Sequence, residues 1–277
     1  MLVNTPLKEI LFSVVRISTI KTDGAQSVGT GFIFNVSRDP RKAAPVLITN
    51  KHVVAGAVKA SMNFIGADGD KPRFGANITA NYDKFESLFV GHPNENVDIA
   101  CMGFGSTIAE LTENRLTPFW KAANPSIFPN DGILDDFDAI EEVFFVGYPN
   151  ALYDTSNLTP IMRRGSTATP IHLNWCGLPS FLIDAAVFQG SSGSPVFLIQ
   201  QHGWRSGTTY QIGNTRIFLV GILAAVHLQP TRGRISVSVA EPYVEFDQFM
   251  DLGVVFNWKA IEEAVNELFD VNGWEIP

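Results

Sequence analysis

Three serines lie close together in the segment VFQGSSGSPVF, residues 187–197, where glycines and a proline separate two apolar runs. A nucleophilic hydroxyl needs a base that removes its proton and backbone N–H groups that stabilise the oxyanion, so its turn must be tight and glycine-rich. The pattern GxSGxP meets this need with Ser192 as the nucleophile and the N–H groups of Gly190 and Ser192 directed at one point. Ser191 and Ser194 would then be scaffold residues. A serine-rich β-turn without chemistry is the alternative for this motif alone, so partner residues must decide.

The base should be a histidine, and the chain has five. His52, in VLITNKHVVAG, follows an apolar strand at a polar bend, a place that would hold the imidazole rigidly. His92 and His202 lie in polar turn segments and are expected to be exposed. His172 and His227 fit ordinary strand histidines. The sequence therefore favours His52 as the base.

An orienting carboxylate should be half-buried, where it accepts the imidazole N–H and stabilises the cation that forms during the reaction. Asp98, in NENVDIACMGF, stands immediately ahead of an apolar strand. Many other acidic residues lie in solvated runs such as DDFDAIEE. Asp184, in FLIDAAVF, remains the rival of Asp98 for this role.

Composition excludes several classes of function. The 277 residues are 45% hydrophobic, which is ample for a sizeable core. The balance of 20 basic against 28 acidic residues gives a net charge of −8, the wrong sign for binding phosphate backbones or anionic lipid. We therefore expect neither nucleic-acid nor membrane partners, and the most apolar run, residues 217–226, is too short for a membrane helix.

The start of the chain and its two cysteines bear on location. The first residues contain only a short apolar stretch and no cleavage site of small residues, so we expect mature sequence and a cytoplasmic location. Cys101 and Cys176 could form at most one disulfide, whereas secreted domains that depend on disulfides usually carry more. Free, buried thiols are the expected state.

Short runs rich in valine, isoleucine and phenylalanine, separated by turn residues, predict an all-β protein of antiparallel barrels or sandwiches. Residues 106–114 predict a short helix capped by Ser106, and residues 258–269 predict a helix with Ile261, Val265 and Leu268 on one stripe. We assign residues 1–115 to an N-terminal β half with His52 and Asp98. Residues 116–136 form a linker, residues 137–252 a C-terminal β half with Ser192, and residues 253–277 a helix and tail.

Three segments, TGFIF with PVLITNKHVV, then NVDIA, then DAAVFQGSSGSPVF, resemble the signature blocks of chymotrypsin-like (trypsin-fold) serine peptidases. The similarity is greatest to the bacterial branch that includes HtrA-type proteases. It implies two antiparallel six-stranded β-barrels with the site in the cleft between them, followed by a C-terminal α-helix. It also implies His52 as general base, Asp98 as orienting acid, Ser192 as nucleophile, and an oxyanion hole made by Gly190 and Ser192.

Departures from the family pattern suggest a specificity. Ser191 replaces the aspartate that activates zymogens in the digestive branch, so we expect no such switch. By the same resemblance, the primary specificity pocket is formed by Ala186, Leu223, Ala224, Ala225 and Val226. It offers no partner for acidic, amide or basic side chains, which would be buried without a counter-charge. Small aliphatic P1 residues are therefore expected.

The sequence thus predicts a serine endopeptidase that acts on a protein or peptide substrate and needs no metal ion or cofactor. HtrA proteins carry a PDZ domain after the peptidase domain, and only about 25 residues follow it here, so we expect a peptidase domain on its own or one whose partners lie on other chains. A regulatory protein partner or self-association could act on the oxyanion turn. The alternative is a catalytically silent trypsin-fold module used for binding or regulation.

Overall fold

The computed structural model describes the chain except for residues 38, 40, 41, 150, 151, 214 and 235–242, and it describes no side chains within residues 225–250. Sixteen strands are described: β1 Val14–Lys21, β2 Gln26–Asn35, β3 Pro45–Thr49, β4 Ala57–Asp68, β5 Lys71–Asp83, β6 Val90–Gly91, β7 Ala100–Gly103, β8 Pro118–Phe119, β9 Glu142–Gly147, β10 Ile161–Thr167, β11 Ser180–Asp184, β12 Pro195–Gln200, β13 Trp204–Ser206, β14 Thr209–Gln211, β15 Arg216–Arg234 and β16 Tyr243–Asn257. Five α-helices accompany them: α1 Pro6–Ile10, α2 Lys51–Val54, α3 Gly105–Glu113, α4 Asp131–Leu134 and α5 Trp258–Asn272.

The N-terminal half is one open antiparallel sheet in the order β5-β4-β1-β2-β3-β7-β6, with β8 added beside β4. The expectation of a closed barrel in this half is wrong, because the end strands β5 and β6 do not pair in the part of the chain that the structure describes. β6 has only two residues and Pro93, which has no backbone N–H, follows it closely, so it offers little ladder for closure. The end strand β5 and the strand β7, next to β6, still pack on a shared core through Ile78 and Met102.

The C-terminal half is the closed six-stranded antiparallel barrel that was expected, in the order β10-β11-β16-β15-β12-β9. Its interior is apolar and contains Phe145, Phe181 and Val196, all almost fully buried. β15 and β16 form a long hairpin, whose backbone pairing continues as far as Arg234 opposite Tyr243. The barrel presents the turn between β11 and β12, which contains Ser192, to the N-terminal sheet.

The C-terminal helix α5 has the buried stripe that its sequence predicts, since Ile261, Val265 and Leu268 are each at most 3% exposed. Asn257 caps its N-terminus by accepting the N–H groups of Lys259 and Ala260. The stripe packs in a core shared by strands of both halves. The prediction that this helix packs against a barrel is therefore confirmed.

Two local predictions need revision. α3 begins at Gly105, and the position before it is Phe104, so Ser106 lies inside the helix and does not cap it. Both cysteines are free, as expected, and burial raises the pKa of the Cys101 thiol above its ordinary value. Cys176 is exposed, which corrects the expectation of two buried thiols. It lies in a 3-10 turn with a left-handed backbone, outside the apolar strands.

Candidate active site

His52 lies on the short helix α2, directly after β3, and contacts Asp98 at two points. Its Nδ1 is 2.5 Å from Asp98 Oδ2, and its backbone N–H donates to Asp98 Oδ1 at 3.1 Å. The His52 side chain is 51% exposed and that of Asp98 is 28% exposed. Because Nδ1 faces the carboxylate, the other ring nitrogen, Nε2, is left for proton transfer.

The segment that carries Asp98 is tied to α2 by neighbouring residues. Asn50 is fully buried and its Nδ2 donates to the backbone carbonyl of Asp98 at 2.6 Å. Lys51 Nζ donates to the carbonyls of His92 and Asn94 at 2.9 and 3.0 Å. Partial burial lowers the pKa of the Lys51 ammonium, which Asp98 partly offsets. These bonds position the carboxylate independently of its contact with the imidazole.

The turn around Ser192 is shaped by two glycines with a left-handed backbone. Gly190 has φ +85° and lies in a turn closed by the Ser191 N–H, which donates to the carbonyl of Phe188 at 3.0 Å. Gly193 has φ +88°, and a Cβ there would lie 1.8 Å from the carbonyl oxygen of Thr30. Only glycine fits at Gly193, since both the conformation and the space exclude a side chain.

The three serines of this turn have different environments. Ser191 and Ser194 are buried, at 1% and 0% exposure, and their hydroxyl groups have no hydrogen-bond partner among the described residues. Ser192 is half-buried and borders a cavity that His52 also borders. In this structure Ser192 Oγ donates to the carbonyl of Ala224 at 3.2 Å and not to His52. The expected hydrogen bond between Ser192 Oγ and His52 is therefore not formed in this structure.

The N–H groups of Gly190 and Ser192 have no acceptor within the described part of the chain. Gly190 also borders the cavity of His52 and Ser192. Such a pair of N–H groups next to a hydroxyl can stabilise a developing oxyanion. The carbonyl groups of Gly190 and Ser192, in contrast, both accept hydrogen bonds.

Thr30, on β2, binds both of those carbonyl groups from the other half of the molecule. Its Oγ1 donates to Gly190 O at 2.8 Å, and its N–H donates to Ser192 O at 2.9 Å. Thr30 Oγ1 also accepts the N–H of Tyr148 at 3.1 Å, and Thr49 Oγ1 donates to Thr30 O at 2.7 Å. Sequence reasoning missed this residue. The available signal was a polar side chain, fully buried here, inside the apolar strand GTGFIF.

The remaining histidines and the rival acid lie elsewhere. Asp184 is exposed at the end of β11 and is not a partner of His52. His202 and His172 are exposed, but His172 lies in a turn and not in a strand. The expectation that His92 is exposed is wrong, because α5 covers it and its Nε2 lies 3.1 Å from Glu263 Oε2. The side chain of His227 lies outside the described residues.

The residues assigned to the specificity pocket differ in their burial. Ala186 is half-buried, Ala224 is buried, and Leu223 packs in the barrel core. The side chains of Ala225 and Val226 lie outside the described residues, although their backbone belongs to β15. Leu223 also binds the turn through its backbone, which accepts the Gly193 N–H and donates to the carbonyl of Ser194.

Comparison with known families assigns a domain family to this chain. The trypsin-like peptidase domain family matches residues 29–203, more than half of the chain. The chain belongs to this family. The matched range includes His52, Asp98 and Ser192.

Three of the solved structures that match the chain are the following. The HtrA-type protease AlgW, solved with a tripeptide, is 18% identical, with a TM-score of 0.48 over 96% of this chain. This chain spans 63% of the AlgW chain. The active form of the Rv3671c protease from M. tuberculosis is 18% identical, with a TM-score of 0.44, and the match covers 96% of this chain and 85% of that one. A serine endoprotease from Yersinia pestis is 16% identical, with a TM-score of 0.49, covering 98% and 69%.

No curated protein matches the chain significantly. Among the described residues, no helix has both the length and the apolar character needed to cross a membrane.

Proposed function

We propose that this trypsin-like peptidase domain is a serine endopeptidase that hydrolyses protein or peptide substrates through an acyl-enzyme. The observation that carries the proposal is the contact of His52 Nδ1 with Asp98 Oδ2 at the edge of a cavity that Ser192 also borders. A nucleophile, a base and a group that orients the base are the minimum set for this chemistry.

In the first step, the Ser192 side chain rotates from the Ala224 carbonyl towards His52, and Oγ attacks the substrate carbonyl carbon. His52 Nε2 takes the hydroxyl proton, while Asp98 accepts the Nδ1–H and stabilises the imidazolium. The carbonyl oxygen becomes an oxyanion that accepts the N–H groups of Gly190 and Ser192. His52 then gives its proton to the leaving amine, and the C–N bond breaks to leave an ester on Ser192.

In the second step, water attacks the ester carbon. His52 takes a proton from this water, the oxyanion forms again on the same two N–H groups, and the bond between the acyl carbon and Ser192 Oγ breaks. The proton returns to Ser192 Oγ and the acid product leaves. No group beyond these side chains and water is required to balance the reaction.

We further propose that the substrate carries a small aliphatic residue at P1. Support comes from Ala186, Leu223 and Ala224, whose small or apolar side chains offer no hydrogen bond or counter-charge. Control of the activity, by a regulatory protein or by self-association, would act on the Gly190 turn. A glycine peptide plane there can change orientation at little cost.

The proposal is tested with a fluorophosphonate probe, which reacts with an activated serine, and with a quenched fluorescent peptide containing alanine or valine at P1. Wild-type protein should be labelled and should cleave the peptide, and Ser192→Ala should do neither. Ser191→Ala is the matched control, because its buried hydroxyl has no partner and its loss should leave labelling intact. Equal peptide turnover by Ser192→Ala and wild type would refute the proposal, and a silent wild type would favour a binding module.

A further inference from the structure

The cavity beside Ser192 continues well beyond the residues that the proposed reaction uses. It has a volume of about 1240 Å³ and runs from the Gly190 turn across β2 and β1 to β4 and β5. Three described residues assigned to the specificity pocket, Ala186, Leu223 and Ala224, do not border this cavity. We place the part of the substrate after the scissile bond in this cavity, because the cavity borders Ser192 and Gly190 but not the residues assigned to the P1 side chain.

Arg16, on β1, points into this region. It lies directly opposite Thr30 in the β1–β2 ladder, and residues opposite each other in antiparallel strands have side chains on the same face. The Thr30 side chain reaches Gly190 from that face. Arg16 therefore projects towards the turn that carries the oxyanion N–H groups, and it borders the cavity.

Arg16 is half-buried, yet no carboxylate in the described part of the chain pairs with it. Its Nη1 donates to Ser18 Oγ at 2.5 Å and its centre lies 5.0 Å from the ring of Tyr153. Its Nε is buried without a hydrogen-bond partner among the described residues. A hydroxyl and an aromatic ring compensate only partly for removing a guanidinium from water, whereas a carboxylate would accept two parallel N–H bonds.

The other charges of the cavity do not neutralise Arg16. Lys59 lies 4.0 Å from Asp83, and both side chains are largely exposed, so this pair balances itself in solvent. His52 faces Asp98. Among the described residues that border the cavity, Arg16 therefore carries a positive charge that no described carboxylate pairs with.

We propose that Arg16 forms a carboxylate-binding subsite that selects substrates with an acidic group within the first three residues after the scissile bond. This inference rests on the proposed function, since it concerns the leaving half of a peptide substrate. The carboxylate belongs either to an aspartate or glutamate side chain or to the free C-terminus of a short leaving segment.

Cleavage of matched peptides tests the subsite. The peptides share alanine at P1 and an amidated C-terminus, and differ only by glutamate or glutamine at each of the first three leaving positions. At one position, wild type should prefer glutamate roughly 10- to 100-fold in kcat/KM, the range expected for hydrogen bonds between charged groups. This ratio should fall to about one in Arg16→Gln, and Arg16→Lys should retain only part of it, because lysine keeps the charge but lacks the planar fork.

A matched control and a second readout separate the two proposals. Arg164→Gln should keep the wild-type preference, because Arg164 is an exposed arginine that pairs with Glu142 and does not border the cavity. Binding of the same peptides to Ser192→Ala, measured by fluorescence anisotropy, reports the subsite without turnover, whereas probe labelling of wild type reports the proposed activity alone. A glutamine peptide with a free C-terminal carboxylate is compared with its amidated form. If wild type cleaves or binds the free acid better and Arg16→Gln does not, the terminal carboxylate is the ligand. Equal binding of all acidic and neutral peptides, or a preference that survives in Arg16→Gln, overturns the subsite even where labelling succeeds.

Discussion

Replacing Thr30 with valine should destabilise the turn that carries the N–H groups of Gly190 and Ser192, although Thr30 is not one of the reacting groups. Valine has nearly the same shape as threonine but cannot form the bonds of Oγ1 to Gly190 O and from Tyr148 N–H, which are 2.8 and 3.1 Å long. Both bonds are buried, so water cannot easily replace the lost hydroxyl. The backbone N–H of Thr30 would still donate to Ser192 O.

The magnitude follows from the two groups left without a partner. An unpaired buried backbone group costs about 1–3 kcal/mol, so Thr30→Val should lower the free energy of unfolding by roughly 2–6 kcal/mol. The share at Gly190, about 1–3 kcal/mol, acts directly on the turn that presents the oxyanion N–H groups. If that share is lost only in the formed turn, the equilibrium constant for forming the turn falls roughly 5- to 150-fold, and fluorophosphonate labelling slows by up to the same factor.

Labelling rate and stability should be measured on the same preparations, with urea unfolding for the second. Thr30→Ser is the matched variant, because it keeps the hydroxyl and loses only a methyl group. It should label close to the wild-type rate even if its unfolding free energy drops by about 1 kcal/mol. A valine variant that is less stable but labels as fast as wild type would show that Thr30 supports the fold and has no part in positioning the turn.

Three further predictions concern other parts of the molecule. Asp98→Asn should keep some labelling but slow peptide turnover by about 10⁴-fold, because the imidazole would take the wrong tautomer, and an unchanged kcat would exclude the assigned role. Leu268→Ala should lower the unfolding free energy by about 2–5 kcal/mol in urea titrations, since this side chain is 1% exposed, and a loss under 1 kcal/mol would contradict its packing. Burial lowers the pKa of His92 despite the opposing effect of Glu263. As pH falls below about 6.5, His92 should therefore take up a proton in the unfolded chain before it does so in the folded one. The free energy of unfolding should decrease from that pH down to the pKa of His92 in the folded state, and it should decrease less steeply in His92→Gln.

The sequence alone could indicate the residues whose local setting is distinctive. The Gly190 turn, the bend at His52 and the strand entry at Asp98 each combine a reactive group with the backbone that presents it within a few residues. The apolar stripe of α5 could also be predicted, because the spacing of its residues follows the helical repeat. Such features depend on near neighbours in the chain, which a sequence displays directly.

Features that depend on distant pairing could not be found in this way. Thr30 binds a carbonyl 160 residues away, and His92 is buried only because α5 returns to cover it. Closure of the N-terminal sheet depends on whether two end strands are long enough to meet, and β6 is not. In each case the local pattern is compatible with more than one arrangement, and the packing of separate segments decides between them.

The candidate site is assembled from two halves of the chain, so its geometry depends on what fixes one half against the other. Thr30 does this beside the nucleophile, through bonds from β2 to the Gly190 turn. α5 does it behind the site, where Leu268 packs in a core that includes residues of both halves. Glu263 extends that connection to His92, whose carbonyl accepts Lys51 beside the base. A change in how α5 packs would therefore shift the residues that hold His52 and Asp98 relative to Ser192, without altering any reacting group.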